Sequence, residues 1–532
     1  MRQFHSYGPI ESEEHYFVER DSLIEKCTNQ LIGNPDKSGH FFTIWAPRQT
    51  GKTWIIRQSV EKLKTTYEDS FIVVDLSMQS FALLEENDNA NQVFFSTWKD
   101  AIYEKLKIDI GKINEWNDWL TLFKKSSGLL KKPLILLIDE FDKLPGKIID
   151  QVVSMFRHMY LTRDAYLLHG LALVGVRAVL GVDSKKGSPF NVQRSVHIPN
   201  LTLSEVQKMF NDYQVESKQI VDNEVVQQLY DTTNGQPGLI GWFGELLTEK
   251  YNEDTTKTID MNQWKRIYKR SINIEHNNTI LNMIIKAKTD YKTYVFQLFK
   301  DSNIQFSFAT DWCNYMYMHG LITYTELETD DDIIHICRFA SPYIQDMLYT
   351  VFVSDIEEHH NKRVLALEPG DFLEDVFNTP NLNVPALLNR YKDFLKRLQK
   401  AGNNPWQDQP RRKTDYHLTE AVGHFHLYFW LKMALDGICS IIPEFPTGNG
   451  KVDLHIKCQD GKKGLIEVKS FVNSLKVRAA ITQASQYAQK TSYSEITIAM
   501  FAPFTDESVL NQISTSKTDG NVDVNVVAIG QG

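Results

Sequence analysis

Two groups of residues have types and spacings that could do phosphate chemistry. In the first, Asp453 opens "DLHIK", Glu467 and Lys469 lie in "GLIEVK", and Gln483 and Tyr487 lie in "QASQY". Hydrolysing a phosphodiester at neutral pH calls for metal ions that activate water and neutralise the leaving oxygen. A hard cation such as Mg2+ wants carboxylate oxygens, so Asp453 and Glu467 on adjacent strands could share one. Mn2+ is an alternative there. Lys469, two residues past Glu467, shares its side of a strand and can orient water or stabilise developing charge. In the second group, "APRQTGKT" (Ala46–Thr53) follows the apolar run Phe41–Trp45 and opens "WIIRQSVEKLK". Ala46, Pro47, Arg48, Gln49, Thr50 and Gly51 would form a loop whose amides, with the helix N-terminus, cradle phosphates. Lys52 would reach the β and γ phosphates, and the Thr53 hydroxyl would bind Mg2+. "LILLIDEFDKL" completes this group, with Asp139 at a strand tip to hold the metal's water shell and Glu140 to polarise an attacking water.

The elements that must position these residues are legible as patterns. "FFTIW" (Phe41–Trp45), "FIVVDL" (Phe71–Leu76), "LILLID" (Leu134–Asp139) and "GLALVGV" (Gly170–Val176) are nearly continuous apolar runs, with a fifth near "RSVHI" (Arg194–Ile198). Such strands are buried on both faces, as in a parallel sheet covered by helices. Thr202 and Glu205 form a capping-box signature, and helical patterns continue to about residue 285. Residues 286–355 predict helix, helix, hairpin, helix, with the hairpin tip at Asp330–Asp332. Residues 356–413 predict a linker with a basic helix, carrying Arg390, Lys392, Lys396, Arg397, Lys400, Arg411, Arg412 and Lys413. That stretch could guide a nucleic-acid backbone, with Trp406 stacking on a base, or be a solvated linker. Residues 414–532 predict a small α/β domain, in which Asp460-Gly461 signals a hairpin bringing Asp453 toward Glu467. Gln483 and Tyr487, four apart, share one face of the following helix.

The 532-residue chain, with 42% apolar and 23% charged residues, is long enough for several domains. Its net charge of -9 excludes a global nucleic-acid signature, so any such contact needs a local patch. No signal-peptide pattern or long apolar span is present, which points away from membranes and toward the cytoplasm. The five cysteines are scattered and lack CxxC spacing, which argues for a reducing compartment and against structural zinc. His417, His424 and His426 are expected to pack rather than bind metal, because the last two are two apart on a helix.

The N-terminal pattern resembles the AAA-like and STAND branch of P-loop ATPases. The resemblance implies ATP as cofactor, places Arg20 of "FVERD" near the base or ribose, and makes Arg177 of "ALVGVR" a sensor of the γ-phosphate. It matches "NGQPGL" to a GxP lid motif through Gly235 and Pro237, and "GSPFN" (Gly187–Asn191) recurs in related proteins. The usual glycine of the N-terminal segment is missing from "VERD", and no repeat array follows. Residues 286–355 resemble a winged helix. The C-terminal constellation resembles RecB-like PD-(D/E)XK nucleases, in which a Q-x-x-x-Y helix lies beside the metal site and an upstream acid, here Glu420, often adds a ligand.

The expected fold is therefore α/β: a P-loop ATPase core (1–200), a helical lid (201–285), a winged-helix domain (286–355), the linker (356–413) and a restriction-endonuclease-like domain (414–532). The expected function is an ATP-dependent, Mg2+-dependent nuclease cleaving DNA (or RNA) phosphodiesters, with DNA the more expected partner. The resemblance further implies a homo-oligomer, an unidentified activating signal and a place in anti-phage or mobile-element systems. The alternative is a nucleotide-dependent signalling switch whose nuclease-fold domain only binds nucleic acid or a partner.

Overall fold

The computed structural model describes residues 1–81, 89–175, 194–275, 277–300, 304–328, 333–358, 364–368, 370–379, 381–406, 409, 419–436, 438–444, 453–490 and 493–531. The side chains of a few of these, Asp453 among them, lie outside the description. The chain divides into two compact units, Met1–Asn273 with Tyr317–Gly320, and Ile274–Met316 with Leu321–Gly532. The first division falls at 273, twelve residues before the expected end of the lid.

The first unit opens with α1 (Asp21–Ile32), β1 (Phe41–Trp45), α2 (Lys52–Tyr67), β2 (Ile72–Ser77) and α3 (Ala90–Leu106). There follow α4 (Trp116–Trp119), β3 (Leu134–Asp139), α5 (Gly146–Leu161), β4 (Leu168–Gly175) and β5 (Arg194–His197). The strands pair in parallel in the order β2-β3-β4-β1-β5, so β4 separates the strand that feeds the phosphate loop from the strand ending at Asp139. Alternation along β3 explains why the run is continuously apolar. Leu134, Leu136 and Ile138 join the core with residues of α3 and α5, whereas Ile135 and Leu137 join the core with residues of α1 and α2. The lid is α6 (Leu203–Ser217), α7 (Asn223–Thr233), α8 (Pro237–Glu245) and α9 (Met261–Asn273). Both halves of the capping box between Thr202 and Glu205 are formed.

The second unit starts with α10 (Asn278–Thr289), α11 (Lys292–Lys300), α12 (Asp311–Met318), the antiparallel hairpin β6 (Ile322–Glu328) and β7 (Ile333–Phe339), and α13 (Pro342–Glu358). From α11 onward this is the helix, helix, hairpin, helix order read from the sequence; the hairpin tip lies outside the described residues. After α14 (Glu374–Phe377) and α15 (Val384–Lys400) come α16 (Glu420–Ala434), β8 (Cys439–Glu444), β9 (Asp453–Cys458), β10 (Lys463–Ser470) and α17 (Ser474–Lys490). The chain ends with β11 (Glu495–Ala502), α18 (Glu507–Ile513), β12 (Thr515–Asp519) and β13 (Val522–Gly530). Their mixed sheet runs β12-β13-β11-β10-β9-β8, antiparallel from β8 to β10 and parallel from β10 through β11 to β13.

Three sequence expectations change here. The stretch 356–413 is not merely a linker, because α15 buries Leu387, Leu388, Tyr391, Phe394, Leu395 and Leu398 and packs on β10, β11 and β13. Gly464 on β10 leaves room for this layer; a Cβ there would lie 2.6 Å from Val384 Cγ2. Trp406 is 2% exposed and packs on His426 and Phe501, so it is a core residue rather than a base-stacking one. Trp406→Ala is expected to cost about 3–5 kcal/mol of stability, read as a lowered unfolding midpoint in denaturant. The cysteines are also not all free: Cys439 and Cys458, directly paired across β8 and β9, form a disulfide, while Cys27, Cys313 and Cys337 are free and buried. His424 and His426 are buried as expected, against the hydroxyls of Tyr349 (3.1 Å) and Tyr391 (2.6 Å). No helix among the described residues is long and apolar enough to cross a membrane.

Candidate functional site

The phosphate loop is shaped by two left-handed residues, Gln49 (φ 59°) and Gly51 (φ 85°), after which α2 begins at Lys52. Glycine adopts such a conformation at no steric cost. The Lys52 ammonium donates to the carbonyls of Ala46 (3.0 Å) and Pro47 (2.7 Å), curling back over the loop. Thr53, in the first turn of α2, donates its hydroxyl to Asp139 Oδ2 at 2.9 Å. These two oxygens come from different elements, and meet because β1 and β3 flank β4 in one sheet. Glu140 follows in a left-handed conformation (φ 53°), and its Oε2 is buried without a hydrogen-bond partner. Backbone strain and an orphaned carboxylate oxygen beside Asp139 mark a place built for something other than packing.

Burial dominates the electrostatics. It pushes Lys52 down to about 8, against the opposing pull of Asp139 and Asp142. It raises Asp139, opposed by the Thr53 hydrogen bond, and it raises Glu140. Anionic phosphates would favour the charged ammonium and lift Lys52 back up. Nucleotide affinity should therefore be flat below pH 8 and fall above it by up to about tenfold per pH unit, since binding must then take up a proton. Calorimetric titration of ATP between pH 7 and 9.5 checks this.

The lid reaches the loop directly. Gly238 N–H donates to the Gln49 carbonyl at 3.1 Å, and a Cβ on Gly238 would lie 2.7 Å from Gln49 Cβ. Gln236 Nε2 lies 3.5 Å from the Arg48 carbonyl, and Pro237 supplies the first residue of α8. Gly235 has no alternative residue, since a Cβ there would lie 2.0 Å from the Leu201 carbonyl oxygen. The sequence reading named Gly235 and Pro237 but missed Gln236 and Gly238, though all four lie in "NGQPGL". Arg20 is committed to the lid: its guanidinium donates to the carbonyls of Pro199 and Asn200 and pairs with Glu205 at 3.3 Å. That makes it a tie between the N-terminal segment and the lid. Arg177 and Gly187–Asn191 lie outside the described residues.

In the second unit, the hairpin turns at Gly461 (φ 86°) and pairs Glu467 directly with Asp453. Glu467 is fully buried, and its Oε1 is 2.9 Å from Lys469 Nζ, two residues on along β10. Val468, between them, is buried as well. Glu420, first residue of α16, accepts a 3.5 Å hydrogen bond from Ser470 N–H, one residue past Lys469. On α17, Gln483 is exposed, and the Tyr487 hydroxyl lies 3.3 Å from His455 Nε2 on the neighbouring β9. The described side chains thus bring Glu467, Lys469 and Glu420 to one stretch of β10. Among the described residues no three His, Cys, Asp or Glu side chains converge as a metal site.

Three of the five cations of the basic helix α15 are paired with acids. Arg390 bonds Asp375 at 2.9 Å, Arg397 meets Asp371 at 2.9 Å, and Lys396 meets Glu507 at 2.6 Å. Its expected role as an open path for a nucleic-acid backbone is weakened accordingly; Arg411, Arg412 and Lys413 lie outside the described residues.

A parallel sheet with this strand order, a lysine-bearing loop between β1 and α2, and an acid pair ending β3 define a P-loop nucleotide-binding module. Residues 5–273 match the model of the AAA-like domain, and the chain belongs to that family. Similar solved structures include a Walker-type ATPase of Pyrococcus abyssi, 14% identical over 65% of this chain and 99% of that one, with a TM-score of 0.42. The Aeropyrum pernix Orc1 protein, solved in complex with DNA, is 11% identical over 64% and 94% of the two chains, with a TM-score of 0.33. The Thermotoga maritima RuvB Holliday junction branch migration motor is 11% identical over 62% and 94%, with a TM-score of 0.34. No curated protein matches the chain in sequence.

Proposed function

We propose that the chain is an ATP-dependent, metal-dependent nuclease in which the AAA-like module governs the C-terminal unit. Lys52 would hold the β and γ phosphates, Thr53 and Asp139 the Mg2+, and Glu140 the attacking water. The 2.9 Å contact between Thr53 and Asp139 and the orphaned Glu140 oxygen fit that assignment. For the nuclease, the observation that carries the reading is Glu467, a fully buried acid beside Lys469 on β10, paired in register with Asp453. A fully buried carboxylate is costly unless paired or bound to a cation. The element order α16-β8-β9-β10-α17-β11 and the approach of Glu420 to β10 support the same PD-(D/E)XK arrangement. Asp453, Glu467 and Glu420 would hold one or two Mg2+ or Mn2+ ions. Lys469 and Gln483 would position water and the scissile phosphate of DNA or RNA, in a defence or mobile-element setting.

The second reading is a nucleotide switch whose C-terminal unit binds without cutting. The partly neutralised α15 favours it. Incubating the protein with plasmid and with RNA, in Mg2+ or Mn2+ and with or without ATP, separates the two. Cutting that requires both metal and nucleotide supports the nuclease. Intact substrates alongside steady ATP turnover support the switch.

A further inference from the structure

A chain of net charge -9 can contact a polyanion only through a local basic patch. Three of the five cations of the expected patch on α15 (Arg390, Lys396 and Arg397) are tied up with Asp375, Glu507 and Asp371. Helix α9 differs. Its Trp264, Ile267 and Ser271 are buried against the lid. On its other side Lys265, Arg266, Lys269 and Arg270 are all exposed. At about 100° per residue these four cations fall within roughly 140° of the helix circumference and span roughly 7.5 Å of its axis. Among the described residues none of the four has a carboxylate partner. Asp260, which precedes the helix, is engaged by the amides of Asn262 and Gln263. Arg270 lies over the Tyr251 ring at 4.7 Å, and Lys250 flanks the same ring at 5.8 Å, so a fifth cation adjoins the face.

We propose that this face of α9 is a nucleic-acid backbone contact on the lid of the ATPase module. Among the described residues, four cations in six positions without a carboxylate partner cost electrostatic self-repulsion, while the buried side of the helix is formed by Trp264, Ile267 and Ser271. Their spacing suits successive phosphates, which lie about 3.4 Å apart along the axis of each strand of a duplex. Contacts of this kind hold the backbone without reading sequence. The inference shares with the nuclease reading only its class of partner. It places the contact in the other unit and stands whether or not the chain cuts.

The test is fluorescence anisotropy of a labelled 30-nucleotide DNA duplex, single strand and RNA, each titrated with the full chain in EDTA so that cleavage cannot interfere. The slope of log affinity against log salt is measured for wild type, for each single substitution to Gln, and for K265Q/R266Q/K269Q/R270Q together. Each single change is expected to reduce the slope by about 1, and the quadruple change to weaken binding at least about tenfold at low salt. The residues are exposed, and unchanged ATP turnover in each variant shows that the lid remains folded. Unchanged affinity and slope in the quadruple variant overturn the proposal. So does binding to phosphatidylserine vesicles through these residues with none to nucleic acid.

Discussion

Lys52→Ala is expected to lower ATP turnover by about a hundred- to a thousandfold and to reduce nucleotide affinity sharply. Its ammonium is held by the carbonyls of Ala46 and Pro47. Those carbonyls belong to the loop itself, so the lysine is poised where phosphates would displace the contacts. Removing one preorganised cation from a transition state that spreads charge over phosphoryl oxygens has an effect of that size. Far-UV circular dichroism should be unchanged, and nucleotide-binding calorimetry with steady-state phosphate release gives the result. Wild-type turnover in the variant would show that hydrolysis occurs elsewhere.

The second large effect is expected at β10. Glu467→Ala and Asp453→Ala should each reduce phosphodiester cleavage by about a thousandfold, several kcal/mol of lost metal-centred stabilisation, while leaving ATP turnover measurable. Glu467→Ala has a second consequence that Asp453→Ala need not share. It leaves the Lys469 ammonium, only 15% exposed, without its 2.9 Å partner. Breaking a buried pair from one side costs about 3–5 kcal/mol, so the thermal midpoint of the second unit should fall. Comparing the two variants separates lost chemistry from lost stability, and cleavage equal to wild type in Asp453→Ala would remove the metal-site assignment.

Local patterns carried the first unit far. The apolar runs located the strands of the parallel sheet, because strands buried on both faces leave no polar interruption to confuse the reading. The loop Ala46–Thr53 and the Asp139-Glu140 pair were legible because phosphate and metal chemistry restrict residue types at fixed spacing. In the second unit the Asp460-Gly461 turn set the register of Asp453 against Glu467. What escaped the sequence was long-range partnering. The basic residues of α15 read as an open path because the acids of Arg390, Lys396 and Arg397 lie 15 to 111 residues away, at Asp375, Asp371, Glu368 and Glu507. Trp406 read as a stacking platform because nothing local announces Phe501 and His426 as its neighbours. Cys439 and Cys458 are brought together only by the pairing of β8 with β9. The cations of α9 are inconspicuous in the sequence because they alternate with the buried Trp264, Ile267 and Ser271.

Under the proposed function, nucleotide at Lys52 controls chemistry at Glu467. The rate of cutting of end-labelled DNA and RNA, measured in Mg2+ as ATP is titrated, tests it most directly. The expected rate rises saturably with ATP in the wild type, stays at background in Lys52→Ala, and is absent in Asp453→Ala at every ATP concentration. Full-rate cutting without nucleotide, or no cutting at any ATP level while ATP is being hydrolysed, would contradict it.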